Sequence, residues 1–184
     1  MSSATPLKPP TRVITTHDAN GKAIISTAIP EQPKAQVVSN GDASFILGYA
    51  TDQYPVDLNE DKDLTAYQHY ASQPPGLVIS GGTVLRYVDM APGITSPMHR
   101  TVSLDYGIVI EGEIELILGS GETRRVFPGD VVVQRGTMHA WRNVSSDKYA
   151  RMLYVLQESK PLRIGSETLG EDYGGTMDGV RAST

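Results

Sequence analysis

From about Gly81 onward, short apolar runs alternate with turn residues, and this punctuation constrains the fold more than any other feature of the chain. Residues 83–88 end at Ala91-Pro92-Gly93, and residues 106–110 lead into Glu111-Gly112. Residues 113–118 alternate charge and hydrophobe with the period of two expected of a half-buried strand. Gly119-Ser120-Gly121 turns the chain, and residues 125–127 run into Pro128-Gly129-Asp130. Residues 131–133 and 139–141 follow, separated by Arg135-Gly136, and residues 149–156 close the series. Strands this short, joined by tight turns, imply an all-β barrel or double-sheet jelly roll. Eighteen glycines and twelve prolines argue against a helical bundle.

The first 80 residues are less regular. Apolar residues at 13–16 and 23–26 flank Asp18-Ala19-Asn20-Gly21, a hairpin turn. Residues 43–49 read as a further strand, and residues 57–72 as a loop containing a helix. The expected division is an N-terminal arm with outer strands and a loop over 1–80, a barrel over 81–158, and a C-terminal tail over 159–184. The tail is rich in Gly, Thr, Asp and Glu and is expected to be mobile unless it covers the barrel or a neighbour. The 184 residues, 39% of them hydrophobic, suffice for one core.

Composition narrows the chemistry. There is no cysteine, which excludes disulfides, thiolate nucleophiles, zinc–thiolate sites and iron–sulfur clusters. Four histidines, His17, His69, His99 and His139, are the whole supply of imidazole. A net charge of −5 with scattered basic residues argues against a nucleic-acid partner. No apolar run is long enough for a membrane helix, and the first residues lack a secretory signal, so a cytoplasmic protein is expected.

Two segments carry the chemistry. In the first, Gly93, His99 and Gly112 fall on the spacing G(X)5HXH(X)3-4E(X)6G. In the second, Gly129, Gly136, His139 and Asn143 follow G(X)5PXG(X)2H(X)3N, one residue short between the two glycines, with Gln134 near the proline position. These segments resemble the paired signature motifs of the cupin superfamily. The likeness covers about residues 82–158 and implies a double-sheet β-barrel, jelly-roll-like, with an extended N-terminal arm. The chain departs from the pattern at two ligand positions: Thr101 stands where most metal-binding cupins have a second histidine, and Asp105 where they have glutamate.

The resemblance implies a pocket at the barrel mouth. Period-two geometry puts His99 with Thr101 on one face, and His139 with Trp141 and Asn143 on another. His99, Asp105 and His139 are the candidate catalytic residues. Thr101, Met98, Met138, Trp141 and Arg100 are candidates for substrate contact. Arg86, Tyr87, Tyr106 and Arg135 could also orient a substrate, but the sequence does not place them. His17 and His69 lie outside the motifs and read as surface residues, Trp141 as barrel packing before substrate stacking, and Asn143 as a backbone anchor.

Three functions stay open. Two imidazoles and a carboxylate suit metal-free acid–base work, a lyase or isomerase carrying out dehydration, decarboxylation, isomerisation or cyclisation. The same three residues, as ligands of one divalent ion (Fe, Mn or Zn), would suit a dioxygenase with a 2-His-1-carboxylate site. The third is a non-catalytic small-molecule binder. The local strings His-Arg-Thr, Leu-Asp-Tyr-Gly and Val-Val-Gln-Arg-Gly-Thr resemble those of small single-domain cupins from bacterial and fungal natural-product pathways, which implies an aromatic or polyketide-like carbonyl or phenolic substrate. A homodimer is expected, with N-terminal strands covering otherwise open sheet edges.

Overall fold

The computed structural model describes residues 5–175, 177 and 179–183. In chain order its strands and helix are β1 (Thr15–His17), β2 (Ala23–Ile25), β3 (Ala35–Val38), β4 (Ala43–Thr51), α1 (Lys62–Ser72), β5 (Thr83–Met90) and β6 (Ser103–Glu111). There follow β7 (Ile114–Leu118), β8 (Thr123–Val126), β9 (Val131–Arg135), β10 (His139–Asn143), β11 (Ala150–Glu158), β12 (Leu162–Ile164) and β13 (Glu167–Leu169). The turn-punctuated region from residue 81 therefore folds as short strands, and the chain has the expected β-barrel architecture with one short helix.

Two sheets make the barrel. The larger runs β3-β4-β5-β11-β6-β9 and the smaller β10-β7-β8, with every pairing antiparallel. One core lies between them: Met90, Val109, Ala150 and Met152 from the large sheet meet Ile114, Val126 and Trp141 from the small one. These residues recur at alternate positions of their strands, which is how period-two sequences bury one face. A second core joins Ala50, Val84 and Leu156 of the large sheet to Tyr67 of α1 and to Leu77, Val78 and Ile79 of the following loop.

The region before residue 80 does more than form an arm. Residues 35–51, expected as outer strands, supply β3 and β4, and β4 pairs with β5 along its length. Strand β5 would otherwise be an open edge, so the expected boundary at residue 80 passes through a single sheet. Only β1 and β2 form a separate hairpin, and residues 62–72 are the expected helix. The tail lies against the barrel: Arg100 and Asp172 pair through their backbones, Gln36 Nε2 donates to the Gly179 carbonyl, and Ser183 Oγ accepts from the Val78 amide. Among the described residues no helix is long and apolar enough to cross a membrane.

The segment between β5 and β6 determines where the motif residues go. Leaving the large sheet at Met90, residues 94–99 run alongside β10 of the small sheet. The Ser96 amide donates to the Trp141 carbonyl at 2.8 Å, and the Asn143 amide donates to the Ile94 carbonyl at 2.9 Å. His99 and His139 exchange two backbone hydrogen bonds, of 2.8 and 2.9 Å. The chain then returns to the large sheet at Ser103.

Asn143 anchors this arrangement. Fully buried, its Nδ2 lies within hydrogen-bonding distance of the carbonyls of Met90, Ala91 and Lys148, at 3.1, 3.0 and 2.8 Å. Its Oδ1 accepts from the Ser145 amide. Gly112 closes the turn after β6 with φ +84°, and a Cβ there would lie 2.7 Å from that of Ala150. Replacing Asn143 with Ala strands these backbone groups in the interior, and the expected loss of unfolding free energy is about 2–4 kcal/mol. Denaturant titration checks this; a loss below about 0.5 kcal/mol would show that water replaces the side chain at no cost.

Candidate active site

A cavity of about 420 Å³ opens between the sheets. Its polar floor is made by His99, Thr101, Asp105 and His139, and its walls are largely apolar, among them Phe45, Val88, Leu156 and Trp141. Strand parity explains the floor. Ser103, Asp105, Gly107 and Val109 share the buried face of β6, and His139, Trp141 and Asn143 that of β10.

The two histidines sit together, their ring centroids 4.3 Å apart and their planes tilted by 48°. Each ring is tethered to its own chain: His99 Nδ1 lies 2.9 Å from the Pro97 carbonyl, and His139 Nδ1 2.8 Å from the Thr137 carbonyl. A carbonyl only accepts, so each Nδ1 carries the proton and each neutral ring keeps an acceptor lone pair on Nε2. Burial holds both imidazoles neutral. It pushes the His99 pKa down and, together with the adjacent His99 ring, pushes His139 down to about 4. The ring series continues from His139 to Trp141 at 5.7 Å and from Trp141 to Tyr154 at 5.9 Å.

Asp105 is held differently. Thr101 Oγ1 donates to its Oδ2 at 3.3 Å, and Ser103 Oγ donates to Thr101 Oγ1 at 2.7 Å. Its other oxygen, Oδ1, is buried without a partner. Only 4% of the residue is exposed, and burial raises its pKa to about 6 against the opposing pull of the Ser103 and Thr101 hydroxyls. Tyr154, also on the cavity wall, is fully protonated at neutral pH because burial and the nearby Asp105 charge push its pKa well up.

The metal site that the sequence pattern suggests is not assembled. Among the described residues no group of three or more His, Asp or Glu side chains could hold an ion. Asp105 stands on β6 of the large sheet, paired in register with Gln134 and Leu156. Aspartate is one bond, ~1.5 Å, shorter than the glutamate of the motif. Thr101 takes the place of the second histidine and turns its hydroxyl to the carboxylate. The residues present do not fit a resident metal.

Three other expected contacts are also absent. Met98, Met138 and Arg100 do not line the cavity. Each is the immediate neighbour of an inward histidine and so faces the other way. Met138 lies over Gly119, and Arg100 Nε donates to the Gly170 carbonyl in the tail. Trp141 and Thr101 do line it. His17 is exposed on β1, and His69 is exposed on α1 with its ring against Tyr70. The sequence left Arg86 unplaced and missed Tyr154 and Met177, all three on the cavity wall. Parity offered a signal for Arg86, which shares a face of β5 with the buried Val84.

Comparison with known proteins agrees with this architecture. Residues 86–156 match the Cupin domain family. The chain is 49% identical over 172 residues to phomopsin biosynthesis cluster protein D of Diaporthe leptostromiformis, covering 94% of this chain and 90% of that one. It is 44% identical over 163 residues to oryzines biosynthesis cluster protein J of Aspergillus oryzae, covering 89% and 90%. It is 42% identical over 171 residues to the cupin-domain-containing oxidoreductase srdB of Neurospora crassa, covering 93% and 85%. With motif residues, barrel and near full-length relatives in agreement, the chain belongs to the cupin family.

Proposed function

We propose that the protein is an acid–base enzyme of a biosynthetic pathway, acting on a small aromatic or polyketide-like carbonyl or phenolic compound. One observation carries this reading: a buried carboxyl, Asp105, with an unpartnered oxygen and a pKa of about 6, faces an apolar cavity beside two neutral imidazoles. A base is most effective when its pKa lies near the working pH. Asp105 Oδ1 removes a proton from the carbon next to a carbonyl, and the bonding electrons move onto the carbonyl oxygen. The same carboxyl returns the proton elsewhere, which completes an isomerisation or starts a dehydration or cyclisation. The Nε2 atoms of His99 and His139 accept hydrogen bonds from ligand hydroxyls and thereby orient the ring. Tyr154, kept protonated, donates its hydroxyl to Met152 Sδ at 3.0 Å and contributes to the cavity wall.

The description of srdB as an oxidoreductase favours a second reading, a redox enzyme. On the donor set alone a metal-dependent version is poorly supported, because Asp105 is engaged by Thr101, which stands where the motif has its second histidine.

One experiment separates the two. In deuterated buffer containing a chelator, the full chain is expected to catalyse α-deuteration of 2-tetralone, followed by proton NMR. The rate should rise with pH through about 6, as Asp105 loses its proton, and then level off. Asp105→Asn should lower it by about 100-fold. Exchange no faster than buffer, or exchange that requires added iron or manganese, rules the acid–base reading out.

The titration is also legible without a substrate. As pH falls from 6.5 towards 4, the unfolded chain protonates its histidines before the folded chain protonates His139, so this residue destabilises the fold. Over nearly the same range the folded chain protonates Asp105 ahead of the unfolded chain, which stabilises it. The two slopes oppose each other. Asp105→Asn removes the stabilising one, so its melting temperature should fall more steeply than that of the wild type between pH 6.5 and 4.5. Parallel curves would show that Asp105 has an ordinary carboxyl pKa.

A further inference from the structure

The proposed chemistry leaves Arg86, a buried cation on the cavity wall, unused. Arg86 is 3% exposed, and its Nη2 donates to the Gly76 carbonyl at 2.7 Å. Its guanidinium carbon sits 4.9 Å from the centre of the Phe45 ring. Its Nη1 is buried with no partner, and among the described residues no carboxylate pairs with it. Burial lowers its pKa to about 10, so it remains a cation at neutral pH. The titratable group that it faces, Tyr173, is pushed up to about 12 and supplies no compensating charge.

Arg151 shows how the same fold treats a buried arginine with a structural role. Its Nε and Nη2 grip both oxygens of Asp89 at 2.5 and 2.7 Å. A buried cation without such a partner is costly, and the cost is recovered when an anion arrives. Asp105, whose Oδ1 is also without a partner, lines the same cavity, along with the apolar side chains of Phe45, Val88 and Leu156.

We propose that Arg86 is a carboxylate-binding residue, and that the ligand is an organic acid. Its carboxylate docks on Arg86 Nη1, and its apolar body lies along Phe45, Val88 and Leu156 towards Asp105. A single guanidinium matches a single negative charge and can grip both oxygens of a carboxylate. This subsite deepens the acid–base reading by naming the substrate class, yet it concerns binding alone and stands or falls separately from turnover.

The test is calorimetric titration of the full chain at pH 7 with cinnamate and with its uncharged isostere cinnamamide. Cinnamate is expected to bind at least about tenfold more tightly, and Arg86→Gln to abolish the preference. Equal binding of the two, no cinnamate binding at millimolar concentration, or a preference that survives in Arg86→Gln would overturn the proposal. Should the variant not fold, the wild-type comparison decides alone, supported by a cinnamate-specific shift of a buried arginine side-chain nitrogen resonance. Loss of tetralone exchange with cinnamate preference intact would refute the acid–base reading and leave the subsite standing.

Discussion

The site depends on a pair of backbone hydrogen bonds, those that His99 and His139 exchange with each other. They stitch the crossing segment of residues 94–99 to the small sheet, and they fix two strand parities at once. With both residues inward, the imidazoles meet at 4.3 Å and Trp141 follows on the same face. The segment then recrosses to begin β6, whose buried face brings Asp105 to the same cavity floor as the histidine pair. At the two motif positions for a second imidazole and a longer acid, the sequence has Thr101 and Asp105.

Electrostatics follow from the same burial. Neutral imidazoles need only one donor bond each, and the Pro97 and Thr137 carbonyls accept it two residues back along the chain. A carboxylate in the same floor has no comparable remedy. Thr101 satisfies one oxygen and leaves the other bare, which keeps the proton affinity high. Burial therefore keeps the two imidazoles neutral and shifts the Asp105 pKa up to about 6. The buried ion pair of Asp89 and Arg151 is matched at both carboxylate oxygens, whereas Asp105 Oδ1 and Arg86 Nη1, on two residues that line the cavity, have no partner.

How much of this was legible in the sequence follows from which physical rule governs each residue. His99, His139 and Asn143 were found because motif spacing encodes strand parity, and parity encodes direction. Met98, Met138 and Arg100 were misassigned although the same rule excludes them, since neighbours along a strand point oppositely. Asp105 was placed on the correct face, but spacing says nothing about the reach of a side chain across a barrel. For the strand β4, the expected N-terminal arm hid a sheet partner, because a chain of alternating residues does not announce which edge it will cover. Tyr154 and Met177 needed the folded structure, since they come from strands and tail far from either motif.

The division of labour around the cavity bears on what could distinguish this chain from other barrels of its kind. The floor residues all fall within residues 86–156, the part that matches the cupin family. Several wall residues do not: Phe45 comes from β4, Leu77 from the loop after α1, and Met177 and Val180 from the tail. Those flanking segments close the space above Arg86, whose Nη2 is itself held by Gly76 of the same loop. The barrel thus supplies the histidines, Thr101 and Asp105 of the cavity, and the flanks supply part of its apolar wall. Because the biosynthetic relatives align with this chain across the flanks as well as the barrel, the flanks belong to the same protein type. The shape of the cavity is then a property of how β4, the loop after α1 and the tail pack against β5.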